Sequence, residues 1–183
     1  CIRDSYIRDA KYSPDGKSFA LASMDHKIYL YDAGSTVLRA KCDKHNSFVT
    51  HFDFSKDSAY VQSDAGDYEH LYHASADGTH FRMPSQLKNV EWESWTCIYG
   101  WPVQGAWAQW KADTGEPPPP DLSAVDRSPS EELLATGDDS GVLRLQRYVS
   151  SVEAFARAFA AGKFHLLVAE IDGALTNPFF GVL

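Results

Sequence analysis

His70 and His73, with His80 close behind, form the histidine cluster of a chain that holds seven histidines. A His-x-x-His pair binds a transition metal when both rings share one face. The flanking residues read as a strand, however, and on a strand positions 70 and 73 point to opposite faces. No metal site is therefore expected. Asp138 and Asp139 are the second chemical candidate, because paired carboxylates can serve acid-base catalysis. The sequence positions no nucleophile or Gly-rich phosphate loop to join them. Asp25, Asp64, Asp67, Asp138 and Asp139 all fall in expected turns, where carboxylates accept local backbone N–H groups and stabilise the turn. We expect no catalytic residue, no cofactor and no enzyme activity.

The third candidate is aromatic. All five tryptophans, Trp92, Trp95, Trp101, Trp107 and Trp110, lie between Met83 and Asp121. Tryptophan anchors interfaces, but it also fills irregular gaps at the cost of satisfying only one N–H. Packing is the expected role for most of them. Trp101 and Trp110, beside Gly100-Trp-Pro and Gln109-Trp-Lys, are expected to be the exposed pair and the protein-interaction residues.

The elements that carry these residues repeat. Ser13-Pro-Asp-Gly-Lys is a tight-turn signal, followed by Phe19-Ala-Leu-Ala-Ser23, Asp25 and the alternating Ile28-Tyr-Leu-Tyr31. The phrase returns from Ser55-Lys-Asp-Ser, 42 positions after Ser13, and from Ser128-Pro-Ser-Glu, 73 positions further on. The first spacing is the length of one four-stranded propeller blade, about 40–45 residues. The second is one blade plus an insertion of roughly thirty residues. The fold class is accordingly all-β: a partial propeller of about three four-stranded antiparallel blades. Its expected divisions are a blade over 6–43, a blade over 44–82, a Trp-rich insertion with a Pro-rich spacer over 83–121, an incomplete blade over 122–148 and an unassigned tail over 149–183. The spacer ends in Gly115-Glu-Pro-Pro-Pro-Pro120, an extended run unable to donate to a sheet ladder. In the second blade, Thr79 to Arg82 is expected as the fourth strand. In the third, no fourth strand is legible before the tail, where Val152 to Ala161 reads as a short amphipathic helix and Phe164 to Ile171 as strand-like.

Composition limits the functions open to such a scaffold. Against 25 acidic residues stand 17 basic ones, a formal net charge of -8, which disfavours a surface that tracks nucleic-acid phosphates. No run approaches the 18 or so consecutive apolar residues of a membrane span. Neither nucleic acid nor membrane is expected as a partner. Three cysteines, Cys1, Cys42 and Cys97, cannot all pair within the chain and lack CxxC spacing, which fits a reducing intracellular compartment. A closed propeller needs four to eight blades, so the chain is expected to be part of something longer.

Three segments carry a family resemblance: His45-Asn-Ser-Phe-Val-Thr-His-Phe-Asp-Phe-Ser55, Trp92-Glu-Ser-Trp-Thr-Cys-Ile-Tyr-Gly100 with Val103-Gln-Gly-Ala-Trp107, and Leu133-Leu-Ala-Thr-Gly-Asp-Asp-Ser-Gly141. Together they resemble the echinoderm microtubule-associated protein-like family of WD-repeat proteins, over roughly residues 6 to 148. The Trp-rich insertion between two blades is the specific part of the match. The resemblance implies a non-enzymatic protein of the cytoplasm and cytoskeleton, at microtubules and in cilia, with tubulin or microtubules and other proteins as partners. The alternative is a WD-repeat assembly scaffold, ciliary or signalling, with no direct tubulin contact. It also implies that His45 joins a structural network with a turn Asp and a strand Ser or Thr, alongside the turn carboxylates Asp25, Asp138 and Asp139. The chain departs from the family in having Tyr31, Tyr72 and Gln146 where the WD-repeat Trp ends the third strand, and residues 149 to 183 do not resemble it.

Overall fold

The computed structural model describes residues 5–103 and 120–148, together with the backbone of 166–170. The chain divides into two compact units, residues 1–99 and 100–183. Each is built from short strands of alternating character closed by tight turns.

The first unit contains two sheets. In one, β1 (Ile7–Tyr12), β2 (Ser18–Ser23), β3 (Ile28–Asp32) and β4 (Leu38–Cys42) pair antiparallel in chain order. In the other, β5 (Val49–Phe54), β6 (Tyr60–Ala65) and β7 (His70–Ala74) do the same. The expected fourth strand at Thr79 to Arg82 is shortened to a single bridge between His73 and His80. Two backbone bonds flank that bridge, Ala74 N–H to Thr79 O and Phe81 N–H to Tyr72 O.

The repeat read from the sequence is a repeat of hydrogen bonds. After β1, Ser13 Oγ accepts from Ser18 N–H at 3.0 Å and donates to Asp15 Oδ1 at 2.6 Å. After β5, Ser55 Oγ accepts from Tyr60 N–H at 2.9 Å and donates to Asp57 Oδ1 at 2.6 Å. In the second unit Ser128 Oγ accepts from Leu133 N–H at 3.1 Å and bonds Ser130 Oγ at 3.1 Å. The third residue after each serine, Gly16, Ser58 and Glu131, has a left-handed φ of 68°, 62° and 57°. The serine hydroxyl thus replaces a backbone partner and closes the reversal between adjacent strands.

Alternation on the strands decides what packs between the sheets. Ala20 and Ala22 of β2, with Ile28 and Leu30 of β3, are buried in one cluster with Val49, Phe52 and Phe54 of β5 and Val61 of β6. Burying each large aliphatic side chain contributes about 1.5–3 kcal/mol, and small alanines let the sheets approach. Polar staples pin the two sheets at their margins. Asp15 N–H donates to Ser58 Oγ at 3.1 Å, and Arg39 Nη2 donates to Ser75 O at 2.6 Å.

The second unit carries β8 (Leu122–Arg127), β9 (Leu133–Asp138), β10 (Val142–Arg147) and β11 (Leu166–Glu170) in one antiparallel sheet of order β11-β10-β9-β8. β11 supplies the fourth strand that was not legible in the sequence: Gln146 faces Leu166 and Val142 faces Glu170. The strand-like reading of Phe164 to Ile171 coincides with it, but its place as the blade's outer strand was missed. A connection of 18 residues separates β10 from β11, whereas β9 and β10 are joined by a tight turn, so no turn signal announced it. The helix read over Val152 to Ala161, and Trp107 and Trp110 of the insertion, lie outside the described residues.

Candidate functional site

The second blade has two chemically different faces, set by its register. Asp53 pairs with Gln62 and Gln62 with Tyr72, while Asp64 pairs with His70, so Asp53, Gln62, Asp64, His70 and Tyr72 share one side. Phe52, Phe54, Val61 and His73 occupy the other, toward the first sheet.

The polar side receives the Trp-rich insertion. Asp53 has a fully buried side chain. Its Oδ1 accepts from Lys11 Nζ at 2.9 Å, Ser94 Oγ at 2.5 Å and Thr96 Oγ1 at 3.0 Å. Its Oδ2 accepts from Gln62 Nε2 at 3.2 Å and from the backbone N–H groups of Thr96 and Cys97 at 2.8 and 3.3 Å. Burial opposes ionisation of this carboxyl, but the Lys11 charge and the converging donors prevail and hold it well below the usual carboxylate range. Lys11 Nζ also donates to Phe52 O and Thr96 Oγ1. One buried ion pair therefore joins β1, β5 and the insertion.

Asp64 is the second socket. Its Oδ2 accepts from Tyr99 N–H at 3.0 Å, and its Oδ1 accepts from His70 Nδ1–H at 2.5 Å. The His70 ring lies parallel to Trp95 at 6.5 Å, and Tyr72 meets Trp92 at 5.8 Å. Trp92 and Trp95 are buried, and Trp95 Nε1–H donates to Cys97 O. A short bridge between Ser55 and Trp92 adds a backbone tie. These two tryptophans pack, as expected of the majority.

Trp101, expected to be exposed, is half-buried within the second unit, its ring 6.5 Å from that of Tyr148. Gln146, at the position of the family Trp, donates to Pro102 O at 2.6 Å.

His45 sits in a network of its own. Its Nδ1–H donates to Asp67 Oδ2 at 3.3 Å and its Nε2 accepts from Ser63 Oγ at 2.9 Å. Asp67 Oδ2 also accepts Asn46 N–H at 2.7 Å. Burial lowers the His45 pKa despite Asp67, and the acceptor-only Asp67 carboxylate holds the ring proton on Nδ1. The order Ser63, His45, Asp67 is that of a nucleophile relay. Yet Ser63 is 0% exposed, so no substrate reaches its hydroxyl, and the network ties the β4–β5 loop to the β6–β7 turn instead.

The turn carboxylates behave locally. Asp25 Oδ2 accepts from Tyr29 O–H at 2.5 Å. That bond pushes the Tyr29 hydroxyl up to about 12. Asp138 Oδ1 accepts from Ser140 N–H, Ser140 Oγ and Val142 N–H, and its Oδ2 from Arg144 Nη1 at 2.6 Å. Burial opposes its ionisation, but these donors prevail and lower its pKa to about 2. Asp139 is exposed and contributes its backbone N–H to Asp121 O. The adjacent pair is thus split: one carboxylate is consumed by its turn and the other faces solvent.

A concavity of about 430 Å³ opens beside the inner strands, lined by Ile7, Arg8, Asp9, Lys11, Thr50, His51 and Thr96. Of its two cations, Lys11 is held between Asp9 and Asp53, and Arg8 is exposed. The sequence reading passed over Asp53, although a carboxylate between two phenylalanines in Phe52-Asp-Phe54 is an available signal of a buried charge.

Consecutive antiparallel meanders, each closed by the same serine turn and the first two packed face to face, define this chain as part of a WD-repeat β-propeller. The family model for the echinoderm microtubule-associated protein second beta-propeller matches residues 2–165. The chain belongs to that family. It is similar to the 77 kDa echinoderm microtubule-associated protein of Strongylocentrotus purpuratus, 36% identical over 172 residues, covering 91% of this chain and 24% of that protein. Echinoderm microtubule-associated protein-like 1 of Homo sapiens is 37% identical over 145 residues, 77% of this chain and 17% of the relative. Echinoderm microtubule-associated protein-like 4 of Xenopus laevis is 33% identical over 162 residues, 85% and 17% respectively. The chain thus spans a quarter or less of these relatives. The family match runs past Tyr148, where the resemblance read in the sequence ended.

Proposed function

We propose that this chain contributes to a non-enzymatic scaffold of the cytoplasmic cytoskeleton that binds tubulin or microtubules through propeller loops and blade edges. The observation that carries this reading is membership in a family whose relatives are named microtubule-associated proteins. Two features of the site support it. The buried carboxylates and His45 serve to hold strands, turns and the insertion in place. At one end of the first two sheets, Tyr6 is 84% and Tyr68 71% exposed, and such aromatic side chains are favoured interface anchors.

The test is co-sedimentation with polymerised tubulin, at low and moderate salt, of a version carrying enough blades to close the ring. Recovery in the pellet at both salts is the expected result. Retention in the supernatant at both defeats direct binding and leaves the second reading, an assembly scaffold without tubulin contact. The formal charge of -8 favours that second reading to the extent that it disfavours charge attraction to a strongly acidic partner surface.

A further inference from the structure

The polar face of the second blade brings together three side chains that the sequence keeps apart. An oxygen of Asp64 at the end of β6, a ring nitrogen of His70 at the start of β7 and Cys97 Sγ of the insertion all lie within 4.8 Å of one another. We propose that Asp64, His70 and Cys97 form a binding site for a zinc-class divalent cation, which staples the Trp-rich insertion to the second blade. This inference is independent of the microtubule reading.

The donor set selects the ion class. A thiolate, an imidazole and a carboxylate are the ligand types of zinc, and the thiolate excludes the hard cations magnesium and calcium. Tetrahedral zinc bonds of about 2.0–2.3 Å place ligand atoms roughly 3.3–3.8 Å apart, so small side-chain adjustments bring this set onto one ion. Nδ1 is the ring nitrogen that faces Asp64; on ion binding it becomes the ligand and its proton passes to the buried Nε2, which has no hydrogen-bond partner. Trp95 lies along the ring and fixes its plane.

Charge points the same way. Asp64 and Cys97 are fully buried, and His70 has only 11% of its side chain exposed. A buried carboxylate needs a compensating positive charge or saturated hydrogen bonds. Asp53, the neighbouring carboxylate, has Lys11 for this purpose. One divalent cation neutralises a thiolate and a carboxylate together, releasing the thiol proton on binding.

The comparison with the other cluster of ligand-type residues, His45, Asp67 and Glu69, is instructive. There both ring nitrogens are committed, to Asp67 and Ser63, and Glu69 is exposed. Of these two clusters among the described residues, the Asp64 one alone combines burial with a soft donor and a ring nitrogen able to take up the displaced proton. It also bypasses the His70/His73 objection, because His70 acts with residues of other segments and His73 faces away.

The experiment uses the 183-residue chain, dialysed against zinc and then metal-free buffer, with bound metal measured by mass spectrometry. Cobalt replacement follows, read as thiolate-to-metal absorption. The expected result is one equivalent of metal and a charge-transfer band that persists in Cys1→Ser/Cys42→Ser and vanishes in Cys97→Ser. His70→Ala is expected to weaken retention by roughly a hundredfold. Less than one equivalent in folded protein, or a band that survives Cys97→Ser, means an adventitious ion only and overturns the site. Refolding from denaturant supplies a second readout. Zinc should raise the yield over chelator in the parent chain and not in Cys97→Ser, and equal parent yields with zinc and chelator overturn the proposal.

Discussion

The two faces of the second blade solve the same packing problem with different chemistry. Toward the first blade, Phe52, Phe54 and Val61 meet Ala20, Ala22, Ile28 and Leu30, and fit follows from shape and size alone. Toward the insertion, Asp53 and Asp64 receive the backbone N–H groups of Thr96, Cys97 and Tyr99. A regular blade brings its own paired backbone. The insertion reaches the sheet here without a ladder of its own, and its N–H groups need acceptors in the surface that it covers. An irregular segment can cover a sheet face only if that face supplies the missing partners.

The sharpest way to break this comparison is one conservative change on each face. Asp53→Asn keeps the shape but leaves Lys11 with only the partly exposed Asp9, 3.4 Å away, as its counter-charge, and should cost about 2–4 kcal/mol, since Lys11 keeps some water contact. Phe52→Leu on the apolar face, which trims the ring and its contact with the Lys11 ammonium, should cost less, about 1–2 kcal/mol. Denaturant titration reads both, and equal losses would show that the polar face works by shape after all.

Next in size is a pair of glycine substitutions. Gly78 has φ +75°, and an added Cβ would run into the carbonyl oxygen of Lys41. Gly78→Ala should therefore cost about 2–3 kcal/mol, from left-handed strain plus overpacking. Gly16 has φ +68° and open space around it, so Gly16→Ala should show the strain alone, about 1–2 kcal/mol. A difference near zero in thermal melts would mean that the blade contact at Lys41 yields without cost.

Ser63→Ala should cost about 1 kcal/mol, by leaving His45 Nε2 without its donor. In NMR the His45 Nε2 resonance should also shift, as its hydrogen bond is lost. An unchanged His45 signal would remove Ser63 from the network.

Near neutral pH the faces are alike in their response to pH, and acid separates them. His73, buried on the apolar face with neither ring nitrogen hydrogen-bonded, has its pKa lowered to about 3, by burial first and then by His80 and His45, against Asp43 and with Lys44 adding to the lowering. The unfolded chain binds this proton more readily, so stability is full above about pH 6.5 and declines as pH falls toward 3. Asp53, lowered in the folded state, contributes above its unfolded value near 4 and loses that contribution only below it. His73→Phe should flatten the upper part of the acid profile and leave the lower part intact.

Much of this was legible because it is local. The serine turns involve residues within five positions, and strand alternation correctly placed His70 and His73 on opposite faces. Three features escaped. The fourth strand of the second blade reduces to one bridge, the outer strand of the third lies beyond a long connection, and Asp53 looked like one more strand residue.

The bulges mark the boundary between the two kinds of information. The first strand of each sheet in chain order slips register at its start, between Ile7 and Asp9, Val49 and His51, and Leu122 and Ala124, always at the same distance before the turn serine. Nothing in those residue types announces a bulge, because it arises when two strands pair. The sequence by itself determined the turns, the strand period and the order of blades and insertion, all through interactions a few residues long. Only the tertiary structure decided what the buried charges do. Asp53 meets Lys11 across 42 positions and Thr96 across 43, and burial converts distant polar residues into a single socket.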